Sequence, residues 1–115
     1  MRPMIDAHLD LAWNALYFNR DMLASVAEVR QSERGLTDEL ARGRNTVTFA
    51  ELRRARVAIY VATVMGRSGP DSPQLFPVKR TDLDYRNQTI AYVHAKGHLR
   101  FITTRGQLRT HWEAW

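Results

Sequence analysis

Residues 57–64 have the sequence Val57-Ala-Ile-Tyr-Val-Ala-Thr-Val64, and this stretch decides the fold class. It is rich in β-branched residues and almost continuously apolar, which is typical of a parallel strand buried on both faces. Helix-like segments precede and follow it along the chain. Because strands that alternate with helices form parallel sheets, the sequence predicts an α/β fold.

The other predicted elements lie on either side of this strand. Residues 4–10, Met-Ile-Asp-Ala-His-Leu-Asp, are predicted to form the first strand, because apolar and polar side chains alternate from Ile5 onward. Residues 66–77 contain two glycines and three prolines and are predicted to form a surface loop. A short extended piece is expected at 99–103. The segments predicted to be helical are 11–18, 21–34, 48–56, 82–96 and 104–115.

Local signals predict where several helices begin and end. Two capping boxes are expected, one joining Thr48 to Glu51 and the other joining Thr104 to Gln107. Glycines that can end a helix follow two of the helical stretches, Gly35 and Gly97.

Apolar residues at helical spacing predict the inward faces of the last two helices. In the segment 82–96 the residues expected to point inward are Leu83, Ile90 and Val93. The final helix carries Leu108 and Trp112.

Composition limits the class of protein. The 115 residues are 44% hydrophobic and 25% charged, which is typical of one globular domain spanning 1–115. Cysteine is absent, so any metal must be held by His, Asp or Glu. Neither a signal peptide nor an apolar run long enough to span a bilayer is present, so we expect a cytoplasmic protein without a membrane partner.

The net charge of +5 raises the question of a nucleic-acid partner. The basic residues are scattered, however, and most lie beside Asp or Glu on helix-like stretches, as on solvated faces. The sequence contains neither an RNA-binding aromatic signature nor zinc-finger spacing. We therefore expect no nucleic-acid binding.

The residues with recognisable chemistry are concentrated in Asp6-Ala7-His8-Leu9-Asp10. In a strand, His8 and Asp10 lie on the same face about 7 Å apart, at the end where a parallel barrel has its active site. An imidazole and a carboxylate can converge there on one divalent ion of the zinc type. The alternative is a polar pair at a strand end. Asp6 shares this face and either orients the imidazole as a second-shell partner or makes a structural hydrogen bond.

Other candidates have weaker support. His94 and His98 have a His-x₃-His spacing, but Gly97 is expected to end their helix between them. His111 is expected to be exposed on the last helix without a nearby partner. Ser68 and Ser72 lie in the predicted loop without a paired base, so nucleophilic catalysis has no support.

Three segments resemble the membrane dipeptidases, peptidase family M19 of the amidohydrolase-type metal-dependent hydrolases. Ile5-Asp-Ala-His-Leu-Asp-Leu-Ala-Trp13 is similar to that family's opening I-D-G-H-N-D-L-P-W. Phe49-Ala-Glu-Leu-Arg-Arg-Ala-Arg-Val57 resembles its L-x-R-L-R-x-G-x-V segment before the second barrel strand. Residues 85–111 resemble the stretch before its third strand. The first motif alone is specific, and it departs from the pattern at Ala7, Leu9 and Ala12, although none of these removes a ligand atom.

The resemblance implies the N-terminal part of a (β/α)₈ TIM-type barrel, truncated before the third barrel strand. It also implies hydrolysis of a dipeptide amide at two bridged zinc ions, with His8 and Asp10 matching the first two metal ligands. The later ligands and the catalytic acid have no counterpart here. Glu113 lacks the family's G-x-E-G-G-H context and is not assigned. Trp13 is a candidate for the substrate pocket, although an aromatic residue after a strand also suits a core.

Two classes of function follow. The first is a zinc-dependent dipeptidase that is complete only with further sequence or a second polypeptide, for which a homo-oligomer is one arrangement. We therefore expect the isolated 115-residue chain to be inactive. The second is a non-catalytic remnant or interaction module that keeps the barrel's opening. An incomplete barrel is expected to leave the apolar faces of residues 57–64 and of the last helix poorly covered.

Overall fold

The computed structural model describes residues 2–65 and 78–115, and there it has two parallel strands and five α-helices. The strands β1 (Met4–Leu9) and β2 (Val57–Ala62) form an open sheet, as predicted. The helices are α1 (Leu11–Tyr17), α2 (Val26–Ser32), α3 (Phe49–Arg54), α4 (Val78–His94) and α5 (Arg105–Glu113). A 3₁₀ turn, Ala95–Gly97, follows α4. The predicted loop 66–77, with Ser68 and Ser72, lies outside the described residues.

The register of the sheet brings the carboxyl ends of both strands together. Met4 pairs with Val57 and Leu9 with Ala62, with irregularities between these pairs. Just beyond the last pair, the backbone N–H of Thr63 donates to the carbonyl oxygen of Leu9 at 3.0 Å. The residues that leave the two strands therefore start from neighbouring points at one edge.

The core lies where α1 and α3 pack beside α4. Its buried members are Leu11, Ala12, Met22, Phe49, Leu52 and Tyr92. Leu9, Val57 and Tyr60 of the strands pack against this cluster and are partly buried. Burial of these apolar side chains fixes α1 directly after β1.

Two helix starts differ from the prediction. The predicted helix 21–34 begins only at Val26, because Ser25 forms a capping box with Glu28 and ends the preceding turn there. Thr48 is the N-cap of α3, but its side chain makes no cap hydrogen bond and its Oγ1 is buried without a partner among the described residues. The expected partner, Glu51, instead pairs with Arg54 at 2.8 Å. The capping box of Thr104 with Gln107 is confirmed.

The inward face predicted for α4 is wrong for the two predicted residues whose side chains the structure describes. Ile90 and Val93 are exposed, whereas Gln88 and Tyr92 are buried. Gln88 and Tyr92 are buried because they form hydrogen bonds with the residues that follow β2. The side chain of Leu83 lies outside the described part of the structure. Residues 99–103 follow the 3₁₀ turn without forming a strand.

Apolar side chains are exposed where an uncovered sheet and last helix were expected. Ile5 of β1 is 61% exposed and Val61 of β2 is 55% exposed. Leu108 and Trp112 of α5 are also exposed. Among residues 2–65 and 78–115, no helix has the length and apolar character needed to cross a bilayer.

Candidate metal centre

His8 and Asp10 meet at the carboxyl end of β1. The strand ends at Leu9, and Asp10 is the N-cap residue of α1 with φ −94° and ψ 49°. His8 Nε2 lies 3.2 Å from Asp10 Oδ1. The side chains are 70% and 34% exposed, so solvent reaches both. The two side chains lie together at the end of β1, beside a parallel second strand, as predicted.

The separation of these two atoms suits a shared divalent ion. Zinc binds imidazole nitrogen and carboxylate oxygen at about 2.0–2.1 Å, so two ligands of a tetrahedral ion lie roughly 3.3 Å apart. The observed 3.2 Å is close to that spacing. Nitrogen and oxygen donors of this kind also match the chemistry of zinc sites. The two residues thus supply two donor atoms of the kind that zinc binds, at a separation that a direct His–Asp contact also has.

Thr63, directly after the last paired residue of β2, forms the far side of this site. Its Oγ1 donates a hydrogen bond to Asp10 Oδ1, joining the ends of the two strands through side chains. Thr63 is not among the site residues predicted from the sequence. Its signal was a hydroxyl in an otherwise apolar run, at the strand end where ligands are expected.

Two side chains of α4 fix the chain around Thr63. The hydroxyl of Tyr92 donates to the Thr63 carbonyl at 3.0 Å and accepts from the backbone N–H of Ala12 at 3.2 Å. One turn earlier, the amide of Gln88 donates to the Met65 carbonyl at 2.5 Å and accepts from the Met65 N–H at 3.1 Å. Because both side chains are buried, α4 holds the segments leaving β1 and β2 in place.

The carboxylate of Asp6 has a local partner. Its Oδ1 accepts from the backbone N–H of His8 at 2.9 Å. This contact fixes the backbone at His8, as in the structural alternative, rather than the imidazole.

A buried ionic cluster supports the other side of Asp10. Asn14 Nδ2 donates to the Asp10 carbonyl at 2.8 Å, and Arg20 donates to Asn14 Oδ1 at 2.6 Å. Arg20 also binds Glu33 through two bonds of 2.7 and 3.0 Å, and Arg42 binds the same carboxylate at 3.0 Å. The hydrogen bond from Arg20, with those from the Gly43 N–H and Arg42, lowers the pKa of Glu33 to about 2.

This cluster could not be predicted from local sequence, because charged residues on helix-like stretches resemble a solvated face. Arg20 and Glu33 are instead both buried. The guanidinium of Arg20 also lies 4.3 Å from the centre of the Phe18 ring.

Trp13 lines a groove between α1 and α4. The groove has a volume of about 570 Å³, and Leu16, Tyr17, Ile90 and His94 also line it. The Trp13 ring stacks on Tyr17 with ring centres 4.6 Å apart. Trp13 is thus half-buried beside this groove, and His8 is not among the described residues that line it.

The remaining histidines have separate surroundings. His94 faces the groove, whereas the ring of His98 stacks on Phe49 at 5.9 Å. The expectation that His111 lacks a partner is wrong, because its Nε2 lies 2.8 Å from the carbonyl oxygen of Ala58 and the ring is partly buried. Glu113 is exposed on α5. Within the described part of the chain, no group of three or more His, Asp or Glu side chains is arranged to hold a metal.

Comparisons with models of protein families, with curated proteins and with solved structures found no match to this chain.

Proposed function

We propose that this chain is the opening part of a zinc-dependent dipeptidase barrel and supplies two metal ligands, His8 and Asp10. The observation that carries the proposal is the 3.2 Å separation of His8 Nε2 and Asp10 Oδ1 at the carboxyl end of a parallel strand. In (β/α)₈ barrels the active site lies at that end of the strands. The similarity of residues 5–13 to the opening motif of the M19 dipeptidases gives the reaction class.

The exposed apolar sheet supports the barrel. Parallel strands are normally covered on both faces, yet Ile5 and Val61 remain exposed on the two strands. Further strands and helices of a barrel would cover such side chains. The proposed barrel continues beyond β2, with the remaining ligands on later strands.

The residues of this chain would bind and orient the metal. A bound zinc-type ion supplies the activation of water and the polarisation of the scissile carbonyl. His8 contributes a neutral imidazole nitrogen and Asp10 an anionic oxygen, which together lower the net charge of the site by one. Asn14 and Thr63 hold the backbone and carboxylate of Asp10. Proton transfer to the leaving amine falls to a residue outside this chain.

A second candidate function is that of a non-catalytic interaction module. The exposure of Leu108 and Trp112 on α5, together with the uncovered sheet, favours this alternative. It requires no metal, so a metal titration separates the two proposals.

The test is a titration of the 115-residue chain with Co²⁺ and Zn²⁺, followed by visible absorption and calorimetry. Because two protein ligands leave an ion under-coordinated, we expect weak binding that His8→Ala or Asp10→Ala abolishes. His98→Ala is the matched control and should bind like the wild type. Metal binding that survives both substitutions, or no binding by the wild type, would overturn the proposal.

Activity is the second arm of this test. The isolated chain should not hydrolyse dipeptides, whereas a longer chain that carries the rest of the barrel should. In that longer chain, His8→Ala should abolish turnover while leaving the far-ultraviolet circular dichroism unchanged. Full activity after His8→Ala would remove the motif on which the proposal rests.

A further inference from the structure

Thr63 is bound through each of its polar groups. Its N–H donates to the Leu9 carbonyl at 3.0 Å, and its carbonyl accepts from Tyr92 at 3.0 Å. Its hydroxyl reaches two acceptors, the Leu9 carbonyl at 3.3 Å and Asp10 Oδ1 at a shorter distance. The backbone at this position is therefore fixed from both sides, which fixes where the hydroxyl can point.

The hydroxyl has one hydrogen, so it can donate a full hydrogen bond to only one of these two acceptors. The Leu9 carbonyl already receives the Thr63 N–H, whereas Asp10 Oδ1 belongs to a carboxylate. A hydrogen bond to a charged acceptor is also the stronger of the two. The hydrogen therefore goes to Asp10.

This bond restricts the carboxylate of Asp10. Free rotation would carry Oδ1 away from His8, but Thr63 holds that oxygen on the β2 side, where it lies 3.2 Å from His8 Nε2. His8 lies in β1 and Asp10 directly follows β1, whereas the anchor, Thr63, directly follows β2. It consequently ties the ligand geometry to the pairing of β1 with β2.

We propose that Thr63 is a positioning residue of the metal centre, whose hydroxyl orients the Asp10 carboxylate toward a divalent cation shared with His8. This inference rests on the proposed metal-binding function. Thr63 itself is not a ligand in this assignment. Tyr92 acts one step further out, because it holds the Thr63 carbonyl.

The experiment compares Co²⁺ and Zn²⁺ affinities of the wild type, Thr63→Val and Thr63→Ser. Valine keeps the shape and removes the hydroxyl, whereas serine keeps the hydroxyl. Loss of an outer partner of a metal ligand typically weakens metal binding about 10–100-fold, so we expect that loss for Thr63→Val and near wild-type affinity for Thr63→Ser. Thr48→Val is the matched control, since it removes a buried hydroxyl that has no hydrogen-bond partner among the described residues and should leave the affinity unchanged.

A stability measurement separates positioning from folding. Urea unfolding of each variant without metal shows whether Thr63→Val simply destabilises the chain. If the variant is folded at the temperature of the titration and binds Co²⁺ about tenfold or more weakly, the proposal stands. Equal affinities of Thr63→Val and wild type would overturn the role of Thr63 and leave the proposed metal site intact. A wild-type chain that binds neither ion would overturn both.

Discussion

The imidazole of His111 on α5 lies against β2, with its Nε2 2.8 Å from the carbonyl oxygen of Ala58. Ala58 is skipped in the register with β1, which passes from Val57 to Ile59. Its carbonyl group is buried, and its oxygen accepts a hydrogen bond from the Nε2–H of His111. The last helix is attached to the sheet through this contact.

Replacing His111 should loosen α5. His111→Ala removes a donor from a buried carbonyl, so we expect a loss of about 1 kcal/mol in the free energy of unfolding. Urea denaturation measures this loss, and amide hydrogen exchange should rise within residues 105–113. His111→Gln retains an N–H donor and is the control that should recover part of the loss. Unchanged exchange in α5 after His111→Ala would contradict this role.

Glu33 should make stability depend on acid pH. Its pKa is lowered to about 2, mainly by the hydrogen bond from Arg20. A carboxyl group with a depressed folded-state pKa stabilises the fold above its unfolded value, near 4.5, and loses that contribution as the pH falls toward 2. The shift corresponds to roughly 3 kcal/mol at most. Urea unfolding between pH 7 and pH 2 should show this decline.

Glu33→Gln tests the source of that dependence. The substitution keeps the shape but leaves Arg20 buried without its counter-charge, and breaking such a pair costs about 3–5 kcal/mol. The variant should therefore be less stable at pH 7 and should lose much of the decline between pH 5 and pH 2. Asp38→Asn is the control, because its side chain is mostly exposed where it pairs with Arg42. An equal pH dependence of Glu33→Gln and wild type would rule out Glu33 as its cause.

Tyr92 should contribute through its hydroxyl as well as its ring. Tyr92→Phe leaves the Ala12 N–H without its acceptor and the Thr63 carbonyl without its donor, so we expect a loss of about 1–3 kcal/mol. Val93→Thr, on the exposed side of the same helix, should change stability by less than about 0.5 kcal/mol. Urea unfolding of the two variants and the wild type measures both changes in the free energy of unfolding. If Val93→Thr were the more damaging change, the inward face assigned to α4 would be wrong.

Local sequence patterns predict part of the fold. The strand predicted at 57–64, the strand end at His8 and Asp10, and the capping box at Thr104 follow from spacing within a few residues. The structure has all three, although the second strand ends at Ala62. Thr48 fails as a capping box because Glu51 finds Arg54 instead.

The parts that could not be predicted depend on contacts distant in sequence. Gln88 and Tyr92 are buried because they form hydrogen bonds with backbone groups of Met65 and Thr63. The spacing of hydrophobic residues along the chain does not predict these hydrogen bonds. Arg20 is likewise buried by a carboxylate that lies 13 residues away in the chain. Thr63 lies within the predicted strand 57–64, and its polar side chain stands near the carboxyl end of that strand.

The uncovered sheet should make the isolated chain bind hydrophobic dyes. Ile5 and Val61 are 61% and 55% exposed on neighbouring strands, which is unusual for a parallel sheet. We expect the fluorescence of a bound naphthalene sulfonate dye to increase on addition of the chain, and Val61→Lys to reduce it. Because Val61 is already exposed, this change should alter the free energy of unfolding by less than about 0.5 kcal/mol.

Leu40 provides the control that distinguishes the sheet from apolar exposure in general. It is 92% exposed in a turn away from the strands, so Leu40→Lys removes as large an apolar side chain without touching the sheet. Dye binding should therefore be unchanged in Leu40→Lys and reduced in Val61→Lys. Equal effects of the two substitutions would show that the dye responds to scattered apolar residues. A wild-type chain that binds no dye would show that the two strands do not form an apolar surface, and the structural support for a larger barrel would be lost.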